Sequence, residues 1–473
     1  MSYTRKIAHN TIIQIIGKVA STAIGLVVIG LMTRYLREEG FGQYYTVMSF
    51  LQLFGILVDL GLYTILLKKN SEPGVDQDKM TSNIFTIRLI SAVVFLGIAP
   101  LVALFFPYPS IVKWGIAATS VSFLCITLNQ VLTGVFQKHL HMERVAMAEM
   151  AGRLALLAGT FMAIKLGLNL VWILASVSIG SLVNFILLFA YSRKYVQIRW
   201  AIDWPLWKEI VRETWPIALS IAFNLIYFKA DAIILSLFKT QSDVGVYGAP
   251  YKVLEVLTTF PAMFAGLVMP LLAAAWAAND RERFQRVIRK SFNAMSLVAL
   301  PLIVGTIFVA QPIMDLVAPE FRDSGALLQI LIIATGIIFI GNVFGGAVVA
   351  INRQRAMMWL YMLVAAVSLA GFLIFIPHYS YFGAAWIRVL SELLVTIAAA
   401  TIVLRFAHAK LSFSVFGKAV IATGLMAGSL WIFRHQQWFI SIVVAMIVYA
   451  SAILAMKGVT RETIREIISR NEA

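Results

Sequence analysis

The feature that most constrains this chain is a succession of fourteen apolar runs that fills almost its whole length. A hydrocarbon core about 30 Å thick takes roughly 20 apolar residues of helix to cross. The runs cover 11–33, 43–66, 84–106, 111–136, 147–164, 170–191, 215–238, 247–273, 292–316, 325–350, 357–376, 381–404, 415–433 and 437–456. A barrel strand would alternate apolar and polar residues over about ten positions, and these runs do not. With 60% hydrophobic and only 13% charged residues, the chain lies far outside the soluble globular range. The expected class is an all-α polytopic membrane protein with about 14 transmembrane helices. The first run is too long for the apolar region of a cleavable signal, about 7–15 residues, so the first helix is expected to act as its own insertion signal.

The stretch from Asn10 to Lys69 returns in weaker form 203 residues later. Its two apolar runs meet at the polar corner LREEGFGQY, and the later copy carries SDVGVY at the matching place. Gly42 falls on Gly245 and Tyr44 on Tyr247. A repeat of whole hydrophobic segments is the mark of a transporter built from two related halves. The expected division is 1–202 as a six-helix lobe, 203–404 as a second, and 405–473 as a further helix pair with a tail.

A net charge of +16 could suggest nucleic acid, but the basic residues are scattered over short connections between apolar runs, and no nucleic-acid partner is expected. Their distribution reads instead as orientation. With the N-terminus in the cytoplasm, 26 of the 39 basic residues fall in cytoplasmic segments and 7 on the opposite side. Both termini are therefore expected inside. The longest connection, about 192–214, carries Trp200, Trp204 and Trp207 and reads as a linker lying at the membrane interface. In the tail, Ile464, Ile467 and Ile468 share one side of a short helical pattern.

Catalytic and cofactor signals are absent. No Walker lysine loop is present, and the single cysteine, Cys125, sits in an apolar run. His139 and His141 form an HxH in a basic loop with no cysteine or acid cluster nearby, which reads as a solvated loop. No cofactor, metal site or catalytic residue is expected. Gly17, Ser21 and Gly25 fall four apart on the first helix, a face on which another helix can approach closely. Pro216, Pro250, Pro261, Pro270 and Pro301 interrupt the seventh to ninth runs and are expected to kink them.

Six basic residues lie inside the predicted spans: Lys18, Arg88, Arg153, Lys229, Lys252 and Arg388. A charge at mid-bilayer costs at least about 2.5–3.5 kcal/mol and should face a wet cavity or a partner. Arg88 and Arg153 lie within about two turns of the cytoplasmic ends, where long side chains can snorkel. Lys252 with Glu255 and Arg388 with Glu392 are spaced to neutralise each other on one helix face. Lys229 and Asp231, two apart, point to different faces. Asp59, Asp231, Glu255 and Glu392 are candidates for relaying a proton or binding a coupling cation. The surplus of cations in the first half suits a cavity for an anionic head group such as a diphosphate.

The motifs RYL-x-x-x-GFG-x-Y (Arg34 to Tyr44) and D-x-x-x-L-x(7)-VG-x-Y (Asp231 to Tyr247), with the fourteen helices and the final pair, give the chain a resemblance to a known family. It resembles the polysaccharide-transport branch of the multidrug/oligosaccharidyl-lipid/polysaccharide exporter superfamily, the O-antigen and exopolysaccharide repeat-unit flippases. The resemblance implies two six-helix lobes around a cationic cavity. It also implies a lipid-linked oligosaccharide, typically on undecaprenyl pyrophosphate, passed from the inner to the outer leaflet of the cytoplasmic membrane. Polysaccharide polymerase and chain-length machinery are the implied protein partners, and membrane lipid the surroundings. Lys18 is the position matched to the cavity. Gly40 and Gly42 are expected to permit the tight turn of the first corner and Arg34 to anchor it, with Tyr44, Gly245 and Tyr247 marking the family. A cation-coupled multidrug antiporter is the alternative; a glycan polymerase or ligase would need a sizeable outer loop, which the chain lacks.

Overall fold

In the bilayer core no water satisfies the backbone, so a crossing segment must make its hydrogen bonds within itself. The computed structural model describes residues 3–458 apart from positions 60, 71–75, 140, 410 and 435, and among these it is helical with no strand. The tail residues Ile464, Ile467 and Ile468 lie outside the described residues. Thirteen helices follow one another: α1 (Tyr3–Asp59), α2 (Leu62–Asn70), α3 (Gln77–Leu104), α4 (Ser110–His139), α5 (Met142–Lys165), α6 (Leu170–Ser192), α7 (Trp204–Phe238), α8 (Gln241–Ala277), α9 (Arg281–Val317), α10 (Ser324–Ala350), α11 (Gln354–Phe406), α12 (Ser414–Ile432) and α13 (Trp438–Ala455).

Eleven of them are long and apolar enough to cross a membrane. Two of these, α1 and α11, are each a pair of crossing segments joined at a kink, Arg37 in α1 (φ 56°) and Ser380 in α11 (φ 49°). With α7 over the seventh run, the described helices supply the fourteen expected segments. The protein is a multi-pass membrane protein of the all-α class. Of the prolines expected to kink helices, Pro250, Pro261 and Pro270 sit inside α8 and Pro301 inside α9 without ending them, and Pro312 adds a second site in α9.

Helix starts follow local chemistry. Asp76, Asn169 and Asp203 accept from the backbone N–H groups of Lys79, Val171 and Leu206, capping α3, α6 and α7, and Pro205 opens α7 where its missing N–H costs nothing.

The chain packs as two compact units. Met1–Ala249, Val317–Phe321 and Leu369–Ala384 form the first; Pro250–Leu316, Arg322–Ser368 and Ala385–Ala473 form the second. In the first, α4 lies against α6 and α3, and α5 against α1 and α6. Gly152 and Gly180 make the α5–α6 crossing: a Cβ on either would come within 2.7 Å of the other's carbonyl oxygen. In the second, Phe292, Phe339 and Phe344 anchor the core that α9 and α10 share with parts of α8 and α11. There α12 and α13 pack on α9 residues Leu297, Leu300 and Val304, and Tyr449 donates to the Leu297 carbonyl at 2.7 Å.

Candidate functional site

The stripe Gly17–Ser21–Gly25 is the seam of α1 with α5. A Cβ on Gly17 would fall 2.7 Å from that of Ala146, so only glycine lets the helices meet here. One turn on, Glu149 takes Lys18 Nζ at 3.3 Å and the Ser21 hydroxyl at 3.0 Å. Another turn along α5, the guanidinium of Arg153 reaches across Gly25, 3.8 Å from where a Cβ would stand. Arg153 has no carboxylate partner among the described residues, and the Lys18 side chain is 43% exposed. The α1–α5 seam thus carries two cations and one acid, Glu149, which pairs with Lys18, and a net positive charge is left over. Glu149 is legible in the sequence as an acid within a spanning run, but its pairing with a residue 131 positions away is not visible in local spacing.

Arg88 does not snorkel. It is fully buried on α3, with Nη2 2.7 Å from Asp59 at the end of α1 and bonded also to Gln130 of α4. The expectation fails because a partner lies nearer than the interface: Asp59 neutralises the charge in place. Asp59 also accepts from the Tyr63 backbone N–H at 3.3 Å, and the Tyr63 phenol donates to Gln137 of α4 at 2.8 Å. A polar network therefore ties α1, α2, α3 and α4 together around the bend at Gly61, whose φ of 88° suits glycine.

The two family-marking corners lie against each other within the first unit. A Cβ on Gly42 would overlap the carbonyl of Gln241, and a Cβ on Gly245 the carbonyl of Glu38. Neither Gly40 nor Gly42 has positive φ; the turn is made at Arg37. The expectation that these glycines permit the turn is corrected: Gly42 permits a close approach of backbones, and Gly40 meets only Leu36 of its own helix. Arg34 is exposed one turn before the bend, and Tyr44 packs on Phe41 at 5.6 Å between ring centres. Tyr247 is fully buried and donates to Asp231 Oδ2 at 2.6 Å, while the Ala232 backbone N–H donates to Oδ1 at 2.7 Å. Asp231, also buried, has neutral donors and no cation among the described residues. Lys229 is buried nearby in sequence on α7.

In the second unit the pairs follow their spacing. Lys252 meets Glu255 at 2.7 Å on α8, and Arg388 meets Glu392 at 3.0 Å on α11. The Arg388 guanidinium lies 5.7 Å from the centre of the Tyr251 ring of α8. His139 and His141 are not simply solvated: both lie against the Tyr195 ring, and His141 bonds Glu143 at 2.7 Å. Among the described residues no group of histidines, cysteines and acids could hold a metal.

A family model described as "Polysaccharide biosynthesis protein" matches residues 7–276, more than half of the chain. The chain belongs to the polysaccharide biosynthesis protein family. The family is the one its corner motifs resemble. A second family model, MatE, matches residues 216–376. A relative in this setting is the probable low-salt glycan biosynthesis flippase Agl15 of Haloferax volcanii, 24% identical over 250 residues; the match covers 51% of this chain and 53% of that protein, so the chain spans about half the length of that relative. Among solved structures, the fold is similar to lipid II flippase MurJ in an inward closed conformation, with a TM-score of 0.78 at 15% identity over 96% of this chain and 100% of that one. It is also similar to an inward-facing multidrug resistance MATE family transporter of the MOP superfamily, with a TM-score of 0.65 at 14% identity over 83% and 96% of the two chains. These two solved structures share the helical fold seen here.

Proposed function

We propose that this protein is a flippase that moves a lipid-linked oligosaccharide, carried on an undecaprenyl pyrophosphate, from the inner to the outer leaflet of the cytoplasmic membrane. The observation that carries this reading is the α1–α5 seam, where Lys18 pairs with Glu149 and Arg153, one turn further along α5, has no carboxylate partner among the described residues. Uncompensated positive charge at that depth is costly unless something anionic visits it, and a diphosphate supplies charge and acceptors together. The names of Agl15 and MurJ, both flippases, support the same class.

In this reading both termini are cytoplasmic, and residues 1–202 and 203–404 are the alternating lobes, with 405–473 an accessory helix pair. Lys229, Lys252, Arg388 and Arg88 belong to the cationic set that the substrate passes. Asp59, Glu255 and Glu392 are held by Arg88, Lys252 and Arg388, so proton uptake at any of them would loosen an ion pair. Asp231, bound by neutral donors alone, is the acid best placed to take a coupling ion. A polysaccharide polymerase and chain-length machinery are the partners that would consume the flipped unit.

The test replaces Lys18 and Arg153 together with glutamine and measures surface polysaccharide at matched protein level. Loss of polysaccharide with accumulation of the lipid-linked unit on the inner leaflet is expected. Wild-type polysaccharide in that variant would sink the assignment, and drug sensitivity of a deletion strain with intact polysaccharide would favour the antiporter.

A further inference from the structure

Between α6 and α7 the chain runs outside any helix from Val196 to Asp203, and among the described residues no strand takes its backbone bonds. The first turns of α3 do so with side chains. The N–H groups of Gln197, Arg199, Ala201 and Asp203 donate to Asp78, Ser82, Thr86 and Asn83 at 3.0–3.2 Å. Trp207 Nε1 also donates to Asn83, at 2.8 Å. The segment is thereby a strap with a fixed outward face, and that face carries large apolar side chains: Trp200 is 65% exposed and Trp204 67%.

Its charge is one-sided. The nearby acids are taken: Asp203 by Lys79 at 2.7 Å, Glu213 by Lys69 at 2.9 Å with Glu209 on the same lysine, and Asp78 by the Gln197 N–H. Glu143 is held by His141. Arg193, Lys194, Arg199, Lys208 and Arg212 have no carboxylate partner among the described residues. A cavity of about 340 Å³ is lined by Arg193 and Arg199 together with Val196, Ile198 and Phe189, and the Arg193 guanidinium lies 5.2 Å over the Phe189 ring.

We propose that this strap is a binding site for the headgroup of an anionic phospholipid. The strap lies where α6 ends and α7 has not yet entered its apolar run, the level at which headgroups sit. Exposed tryptophans settle at that level, guanidinium groups match phosphate oxygens in geometry, and each basic side chain near an anionic leaflet adds attraction. The site is separate from the α1–α5 seam and stands whether or not the flippase reading does.

The test uses the full-length protein in a zwitterionic detergent, titrated with phosphatidylglycerol or phosphatidylcholine while melting and lipid binding by native mass spectrometry are followed. Phosphatidylglycerol is expected to bind and raise the melting temperature, phosphatidylcholine not, and the gain to shrink in high salt. Arg193→Gln with Arg199→Gln should weaken phosphatidylglycerol binding roughly tenfold or more, whereas Arg281→Gln with Arg283→Gln should leave it unchanged. The single change Arg199→Gln gives the same reading, at smaller size, should the double variant fold poorly. Equal response to the two lipids, wild-type affinity in both strap variants, or equal stabilisation by soluble glycerol phosphate would overturn the proposal.

Discussion

The phenol of Tyr247 donates to Asp231 at 2.6 Å, joining the start of α8 to the last turns of α7 across sixteen positions of sequence. Both side chains are buried. Tyr247 is thus a structural tether as well as a family mark. A hydrogen bond to a charged group contributes about 1.5–3 kcal/mol. Tyr247→Phe should lower stability by about that amount with the packing retained, as read from denaturant unfolding in detergent. An unchanged midpoint would show that the bond contributes nothing.

Asp59 and Arg88 should be unequal to lose. Asp59→Asn leaves a buried guanidinium without its counter-charge, a change worth about 3–5 kcal/mol. Arg88→Gln combined with Asp59→Asn removes both charges and should recover a good part of that loss. The double-mutant cycle, measured by thermal melting, checks this; additive losses would mean the two side chains do not interact.

Glycine is required unequally along the first corner. Gly42→Ala forces a methyl into the Gln241 backbone, which cannot give way as a flexible side chain would. Overpacking of this kind costs about 1–3 kcal/mol, and the upper end is expected. Gly40→Ala meets only the Leu36 side chain and should melt close to wild type. The order of the two melting temperatures decides the point.

Ion pairs beside the strap give the pH dependence. The hydrogen bond from Lys79 holds the Asp203 carboxyl below its ordinary value. Its contribution is present above the unfolded aspartate value, about 3.9, and is lost as pH falls through the lower folded one. Hydrogen bonds to Glu209 and Glu213 raise Lys69 above the usual lysine range. That contribution is complete below about 10.4 and disappears as pH rises through the folded value. Asp203→Asn should therefore flatten only the acid limb of a melting profile, and Lys69→Met only the alkaline one. Salt should shrink the Asp203 effect, because Lys79 is largely exposed.

Helix content and number were legible because crossing segments must be apolar throughout, and a kink such as that at Arg37 leaves the run count intact. Pairs three or four apart, Lys252 with Glu255 and Arg388 with Glu392, could also be read, since helix pitch alone brings them together. Lys18 with Glu149 and Arg88 with Asp59 could not, because they depend on which helices neighbour each other. Snorkelling was the reasonable reading of Arg88 from its depth, and only the nearness of Asp59 overrules it. The glycines of the corner were recognised as special, but a sequence cannot tell a glycine that turns from one that is merely approached.

The apposition of Gly42 and Gly245 also bears on why the repeat matches where it does. Here each copy is the other's wall, so a side chain gained at position 42 or at position 245 meets backbone of the opposite copy. That mutual confinement holds both positions to glycine, the residue the two copies share there.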